Sequence, residues 1–229
     1  MSFAARVSLL AGTFALGLLF PFASGAQPVT VTRVKGGVAL AGPLTSDAAD
    51  RAIQMLGPQD TFWISSREGS EAAALHLADV LQRKNIPMRV NGECAGPCAN
   101  YIFLLAPGRA ALVGSSVRFT LASVFELKPQ PEGAALAAEY RRMWRAAHIR
   151  GSFVDCLRRA LTAAGAVHAS SVAVSPGVLG EYDVAVDGKY EWTDDKSFRR
   201  DYAAEFDPSM LWLDDAKTCH ATVAGGRDT

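Results

Sequence analysis

Alternating apolar and polar residues predict that the chain forms a β-hairpin soon after its start. Residues 29–34 read Val-Thr-Val-Thr-Arg-Val, and a second apolar run fills residues 38–41 after Lys35-Gly36-Gly37. A period of two is typical of a strand with one buried face, and glycine favours a tight turn between two strands. We therefore expect residues 29–34 to pair with residues 38–41.

Helical and strand-like patterns alternate over the following eighty residues. The first predicted helix begins at Thr45 or Ser46 and ends at Gly57, and the second runs from Ser70 to Lys84. Short apolar runs predict strands at residues 61–64, 86–90, 110–113 and 117–121. This alternation is typical of an α/β sheet with right-handed crossover connections.

Helical patterns dominate the C-terminal half of the chain. Pro97 fits the first turn of a helix over residues 99–105, because that position needs no backbone N–H. Residues 131–164 carry apolar side chains at helical spacing, with a break at Gly151-Ser152. We also expect a final short helix that begins at Asp214.

The first 26 residues have the order of charge, apolar run and small residues that is typical of a secretion signal. Arg6 precedes an apolar stretch over residues 7–22, and Ser24-Gly25-Ala26 offers small residues at the cleavage position. The sequence thus predicts a signal peptide over residues 1–26 and one domain over residues 27–229. We expect a periplasmic or secreted bacterial protein with no stable membrane span after cleavage.

The charge of the chain argues against nucleic acid as a partner. Lysine plus arginine and aspartate plus glutamate each number 23, so no net positive charge steers the protein toward phosphates. We find no basic cluster that would bind the phosphates of an acyl-CoA, and we expect no cofactor.

All four cysteines lie beyond the predicted signal, where an oxidising compartment favours disulfides. Of the three possible connectivities we prefer Cys94 with Cys98, which flank a predicted turn into a helix, and Cys156 with Cys219. A zinc site of Cys94, Cys98, Cys219 and His220 is the alternative, but its spacing is a weak metal pattern. We therefore predict two disulfides and no metal.

Three segments resemble the Clp-protease-like branch of the crotonase superfamily, most closely its small secreted members. Residues 64–70, Ile-Ser-Ser-Arg-Glu-Gly-Ser, stand where the family has an Asn-Ser-Pro-Gly-Gly-like turn. Residues 94–98, Cys-Ala-Gly-Pro-Cys, are similar to the turn with the nucleophilic serine, and residues 114–120 are similar to the strand with the histidine base. The resemblance implies an α/β fold of repeated β-β-α units with a helical C-terminal region.

The chain departs from the family at the positions that carry the chemistry. Gly96 stands at the place of the serine and Thr120 at that of the histidine, so neither a nucleophile nor a base is present. The oxyanion region corresponds to Glu68, Gly69 and Pro97. Proline has no N–H to donate and Glu68 brings negative charge, so this region is impaired as well.

The resemblance therefore implies a non-catalytic serine-peptidase homologue that binds a peptide, a protein or a second copy of itself. One alternative is an active serine hydrolase with a relocated nucleophile, for which Ser115 and Ser116 are the candidates. Asp207 or Glu205 corresponds to the acidic third member of a triad, although an acid without a histidine has no catalytic task. A small-molecule binder of crotonase type is a third possibility.

Overall fold

A computed structural model describes the chain from the hairpin to the last strand, with several gaps. The residues that it describes are 28–111, 115–120, 131–147, 151–166, 171–174, 179, 211–215 and 220–223. The predicted signal peptide lies outside them. Among the described residues no helix is both long and apolar enough to cross a membrane.

The first half of the chain alternates strands and helices. The strands are β1 (Thr30–Val34), β2 (Gly37–Ala41), β3 (Thr61–Ser66), β4 (Met88–Ala95), β5 (Ala110–Ala111) and β6 (Ser116–Thr120). The helices between them are α1 (Ser46–Met55), α2 (Glu71–Lys84) and a π-helix (Cys98–Phe103). The second half contains α3 (Pro131–Ala146), α4 (Gly151–Ala166), β7 (Ser171–Val174), β8 (Leu211–Asp215) and β9 (His220–Val223).

The described strands form one mixed sheet. Its order is β1-β2-β3-β4-β6-β7-β8-β9, and β5 pairs with β4 beside β6. β1 and β2 form the predicted antiparallel hairpin, whereas β2, β3, β4 and β6 run parallel to one another. The protein is thus a mixed α/β structure, in which α1, α2 and the π-helix each follow a parallel strand.

Local capping groups determine where α1 and α2 begin and end. Thr45 Oγ1 accepts a hydrogen bond from Ala48 N at 3.2 Å, and Ser70 Oγ accepts one from Ala73 N at 3.3 Å. These side chains satisfy N–H groups that have no partner within the helix. Asn85 ends α2 with a φ of 52°, the left-handed conformation that asparagine tolerates at a helix terminus.

The two faces of the sheet differ in polarity at β3, β4 and β6. Phe62, Ile64, Val90 and Phe119 point to one side and are at most 1% exposed. This side packs into one apolar core that also contains side chains of the helices, including Phe153 of α4, whose ring lies 6.1 Å from that of Phe119. The residues next to these four in sequence point to the opposite face of the sheet, because side chains alternate along a strand.

Two predictions about secondary structure are wrong. β4 continues to Ala95, whereas the sequence predicted that its strand ends at Val90. Asp214 lies in β8, and β9 follows at His220, so no helix begins at Asp214. Both segments gain a partner strand on each side, which overrides their local turn and helix preference.

Candidate functional site

A sharp turn at Gly96 connects the end of β4 to the π-helix. Gly96 has a φ of +54°, a conformation that residues with a Cβ rarely adopt, and Pro97 then begins the helical segment. Cys94 and Cys98 flank this turn and are joined by a disulfide with a Cα–Cα distance of 5.2 Å. The structure thus confirms the predicted pairing of these two cysteines, which are at most 1% exposed.

Gly96 and Thr120 face each other, although 24 positions separate their numbers in the chain. A Cβ atom placed on Gly96 would lie 3.5 Å from Thr120 Oγ1 and 3.5 Å from the carbonyl oxygen of Arg67. These are ordinary van der Waals distances. The turn after β3, the turn after β4 and the end of β6 therefore meet at one point.

Asn100, in the first turns of the π-helix, holds Thr120 in place. Its Nδ2 donates to Thr120 O at 3.0 Å and to Thr120 Oγ1 at 3.2 Å, and its Oδ1 accepts from Thr120 N at 3.2 Å. Asn100 is 1% exposed. Because Thr120 Oγ1 serves here as an acceptor, its O–H proton is still free to be donated to another group.

The backbone donors of the Gly96 turn are largely used or absent. Gly96 N donates to Arg118 O at 3.1 Å, and Pro97 has no N–H. In the neighbouring turn, Glu68 is exposed, and its carbonyl accepts from Leu44 N at 2.9 Å and from Ser66 Oγ at 3.1 Å. Gly69 pairs with Leu44 in a single β-bridge. This arrangement offers poor stabilisation for a developing oxyanion, which needs free, preorganised donors.

Arginines on both sides of Glu93 form a charged cluster beside the Gly96 turn. Arg67 Nε pairs with Glu93 Oε2, and Arg118 Nη2 pairs with Glu93 Oε1. The Glu93 side chain is 7% exposed, that of Arg118 15% and that of Arg67 65%. We refer to these three residues as the Arg67–Glu93–Arg118 cluster.

Sequence reasoning missed both the cluster and Asn100. The only hint in the sequence is that Arg118 and Thr120 lie two residues apart on a predicted strand and so share a face. Nothing local indicates that Glu93 lies between Arg67, in the turn after β3, and Arg118 of β6.

The other candidate residues lie apart from this turn or outside the described residues. Ser115 is 2% exposed, and its hydroxyl donates to Val90 O at 3.1 Å and accepts from Gly92 N at 2.9 Å. It therefore joins backbone segments and is poorly placed to attack a substrate. Ser116 begins β6 and is 5% exposed. Asp207 and Glu205 lie outside the described residues.

The zinc alternative is not supported. Cys94 and Cys98, two of its four ligands, are joined in the disulfide. Cys156 is also disulfide-bonded, whereas Cys219 lies outside the described residues. Within the described segments, no group of three or more histidine, cysteine or acidic residues could hold a metal ion.

Comparisons with known proteins give little guidance. No protein-family model matches the chain, and no curated protein matches it. Among solved structures, one that aligns with it is titled "Crystal structure of putative enoyl-CoA hydratase from Streptomyces coelicolor A3(2)", with 16% sequence identity and a TM-score of 0.32. The alignment covers 52% of this chain and 59% of that chain. A likeness at this level establishes neither fold nor function.

Proposed function

We propose that this protein is an exported, non-catalytic homologue of the ClpP/crotonase type that binds a peptide or protein. The proposal includes the family's repeated β-β-α units and a periplasmic or secreted location in a bacterium. The ligand is a peptide, a partner protein or a second copy of the chain. No cofactor takes part.

The observation that supports this proposal best is the proximity of Gly96 to Thr120. The two residues that occupy the nucleophile and base positions by resemblance are brought together by the fold, as the two members of a catalytic pair would be. Neither side chain can act in that role, because glycine has no nucleophilic atom and a threonine hydroxyl does not accept a proton near neutral pH.

The hydrogen bonds around the turn support the same view. Gly96 N is already bonded to Arg118 O, and Pro97 lacks an N–H, so the donor that would follow a nucleophile is absent. A mutagenic loss of one such donor costs an enzyme about 2.7–4 kcal/mol of transition-state stabilisation. The alternative of a relocated serine is disfavoured, since Ser115 is buried and bonded to backbone on both sides.

The test is reaction of the purified protein with a fluorophosphonate probe and with an activated ester, followed by mass spectrometry. We expect no covalent adduct on the unmodified protein. We also expect little or none on the double variant Gly96→Ser with Thr120→His, because the oxyanion would still meet Pro97. The further changes Pro97→Ala and Glu68→Gly should raise acylation, since residues of one catalytic unit act non-additively.

Labelling of the unmodified protein would overturn the non-catalytic assignment. Rapid acylation of the double variant with Pro97 and Glu68 still present would show that the oxyanion region lies elsewhere. A variant Ser115→Ala serves as the control for a relocated nucleophile, because any labelling that it abolishes would assign the reaction to that serine.

A further inference from the structure

The Arg67–Glu93–Arg118 cluster carries more positive than negative charge. Two guanidinium groups share one carboxylate, so one positive charge has no counterpart within the cluster. Arginine is charged at all physiological pH values, and its guanidinium forms strong charge-assisted hydrogen bonds with anionic oxygens. The surplus charge therefore favours the approach of an anion.

The two arginines differ in how open they are. Arg118 is mostly buried, and among the described residues its Nε, which is shielded from solvent, has no hydrogen-bond partner. Arg67 is 65% exposed, so its guanidinium is open to solvent. The cluster thus joins a mostly buried guanidinium, whose Nε lacks a hydrogen-bond partner among the described residues, to an accessible one.

The cluster lies beside the Gly96 turn, on which the proposed function depends. The carbonyl oxygen of Arg67 lies 3.5 Å from the position of a Cβ on Gly96, and Arg118 O accepts the hydrogen bond from Gly96 N. Arg118 and Thr120 are two residues apart on β6 and therefore lie on the same face of the sheet. The Thr120 hydroxyl, which accepts from Asn100, adds a donor beside the Gly96 turn.

We infer that the Arg67–Glu93–Arg118 cluster, with the Thr120 hydroxyl, binds a carboxylate group of the peptide ligand. This inference rests on the proposed peptide-binding function and names the chemical group that the ligand presents. A guanidinium binds a carboxylate through two parallel hydrogen bonds, and Arg118 and Arg67 each have nitrogens beyond the one that pairs with Glu93. The carboxylate of Glu68, next to Arg67 in the chain, limits the positive charge at this turn, so a monoanion fits the site better than a phosphate dianion. The carboxylate comes either from the end of the peptide or from an acidic side chain.

The experiment uses three pools of random, N-acetylated hexapeptides without basic residues. The first pool has free carboxyl ends and no acidic residue, the second is its amidated counterpart, and the third is amidated but contains one glutamate per peptide. Binding is followed by NMR through the Nε–H signals of the arginine side chains in ¹⁵N-labelled protein. Acetate and inorganic phosphate, at equal ionic strength, serve as minimal probes.

We expect at least about tenfold tighter binding of the first or third pool than of the neutral second pool, the effect of one charge-assisted contact. Which of the two pools gains identifies the source of the carboxylate. Acetate should shift the Arg67 and Arg118 signals saturably and bind at least as tightly as phosphate.

Arg67→Gln should abolish the difference between the pools, whereas Arg83→Gln should retain it. Arg83 is the matched control, because it is 64% exposed and pairs with one acid, Asp79, as Arg67 is 65% exposed and pairs with Glu93. The role of Arg118 is tested with Arg118→Gln. If this change unfolds the protein, the double variant Glu93→Gln with Arg118→Gln is used instead, because it removes the guanidinium without leaving the Glu93 carboxylate buried and unpaired.

Equal affinity for all three pools would overturn the carboxylate site and leave peptide binding intact. If no pool binds while acetate still shifts both arginine signals, the carboxylate site stands and the peptide-binding function is wrong. Tighter binding of phosphate than of acetate, or an equal effect of Arg67→Gln and Arg83→Gln, would overturn the inference.

Discussion

Asn100 makes more side-chain hydrogen bonds to one residue than any other described side chain near the Gly96 turn. Its carboxamide serves the backbone N–H, the backbone carbonyl and the hydroxyl of Thr120, and it is 1% exposed. Because water cannot replace a buried partner, removal of this side chain leaves several polar groups unsatisfied.

We predict that Asn100→Ala lowers the free energy of unfolding by about 2–4 kcal/mol, the cost of unsatisfied buried partners. Urea denaturation measured by circular dichroism gives this value. Asn91→Ala is the control, since Asn91 lies exposed on β4 and its loss should change stability by less than about 0.5 kcal/mol. Equal effects of the two substitutions would mean that the bonds to Thr120 contribute nothing measurable.

At the scale of elements, Asp60 connects the hairpin to the loop before β3. Its Oδ2 accepts from Gly57 N at 2.6 Å and pairs with Arg33 of β1. The hydrogen bond from Gly57 and then the one from Arg33 lower the pKa of Asp60 below its ordinary value of 3.8. The folded state therefore favours the ionised carboxylate more than the unfolded chain does.

A carboxyl group with a lowered pKa contributes stability above its ordinary pKa, and this contribution is lost as the pH falls toward the folded-state value. We predict that Asp60→Asn is less stable than the unmodified protein at pH 7 and that the difference shrinks below about pH 4. Chemical denaturation at several pH values measures it. The same change at Asp155, which is 59% exposed and pairs with its helix neighbour Arg158, should have little effect at any pH.

The Cys94–Cys98 disulfide fastens the end of β4 to the start of the π-helix. Among the described residues no cysteine is free, and the loop that the disulfide closes is short, with a sequence separation of 4. We predict that alkylation under denaturing, non-reducing conditions adds no mass. Cys94→Ala with Cys98→Ala should lower the free energy of unfolding by about 2 kcal/mol, as expected from chain entropy for a loop of this size. A single mass increment from alkylation would contradict the pairing.

Elements with local signals were predictable from the sequence, and elements set by distant partners were not. Thr45 and Ser70 cap helices where the sequence predicted, because a cap depends on residues three positions away. The end of β4 depends instead on the pairing of Cys94 with Ser66 of β3 and with Val117 of β6. The dipeptide Asn91-Gly92 is typical of a turn and gives no local indication of that pairing.

On the scale of the whole molecule, the candidate site was predicted only in part. The resemblance aligned Gly96 with the family's serine and Thr120 with its histidine, and in the structure a Cβ on Gly96 would lie 3.5 Å from Thr120 Oγ1. The Arg67–Glu93–Arg118 cluster combines residues from three parts of the chain that meet only after β3, β4 and β6 have paired in register. Periodicity and composition carry no information on such a meeting.

The predicted export of the protein depends on residues 1–26, which lie outside the described residues. We predict that export removes residues 1–26, because a charged start, an apolar run and small residues follow one another in that order. The intact mass of exported protein should correspond to a chain that begins at Gln27. A mass that includes the apolar run, or retention in membranes after a high-salt wash, would contradict this.

The carboxamide of Asn100 has the same atoms as a peptide unit and is used in the same way. It accepts from Thr120 N and donates to Thr120 O. A neighbouring strand would make the same two bonds, but β4 ends before this point because the chain turns away at Gly96. A guest peptide that lengthens a sheet by β-augmentation needs just such a free N–H and carbonyl. At Thr120 the side chain of Asn100 already occupies both backbone groups, so a ligand cannot pair there as an additional strand. It must be held through its side-chain or terminal groups.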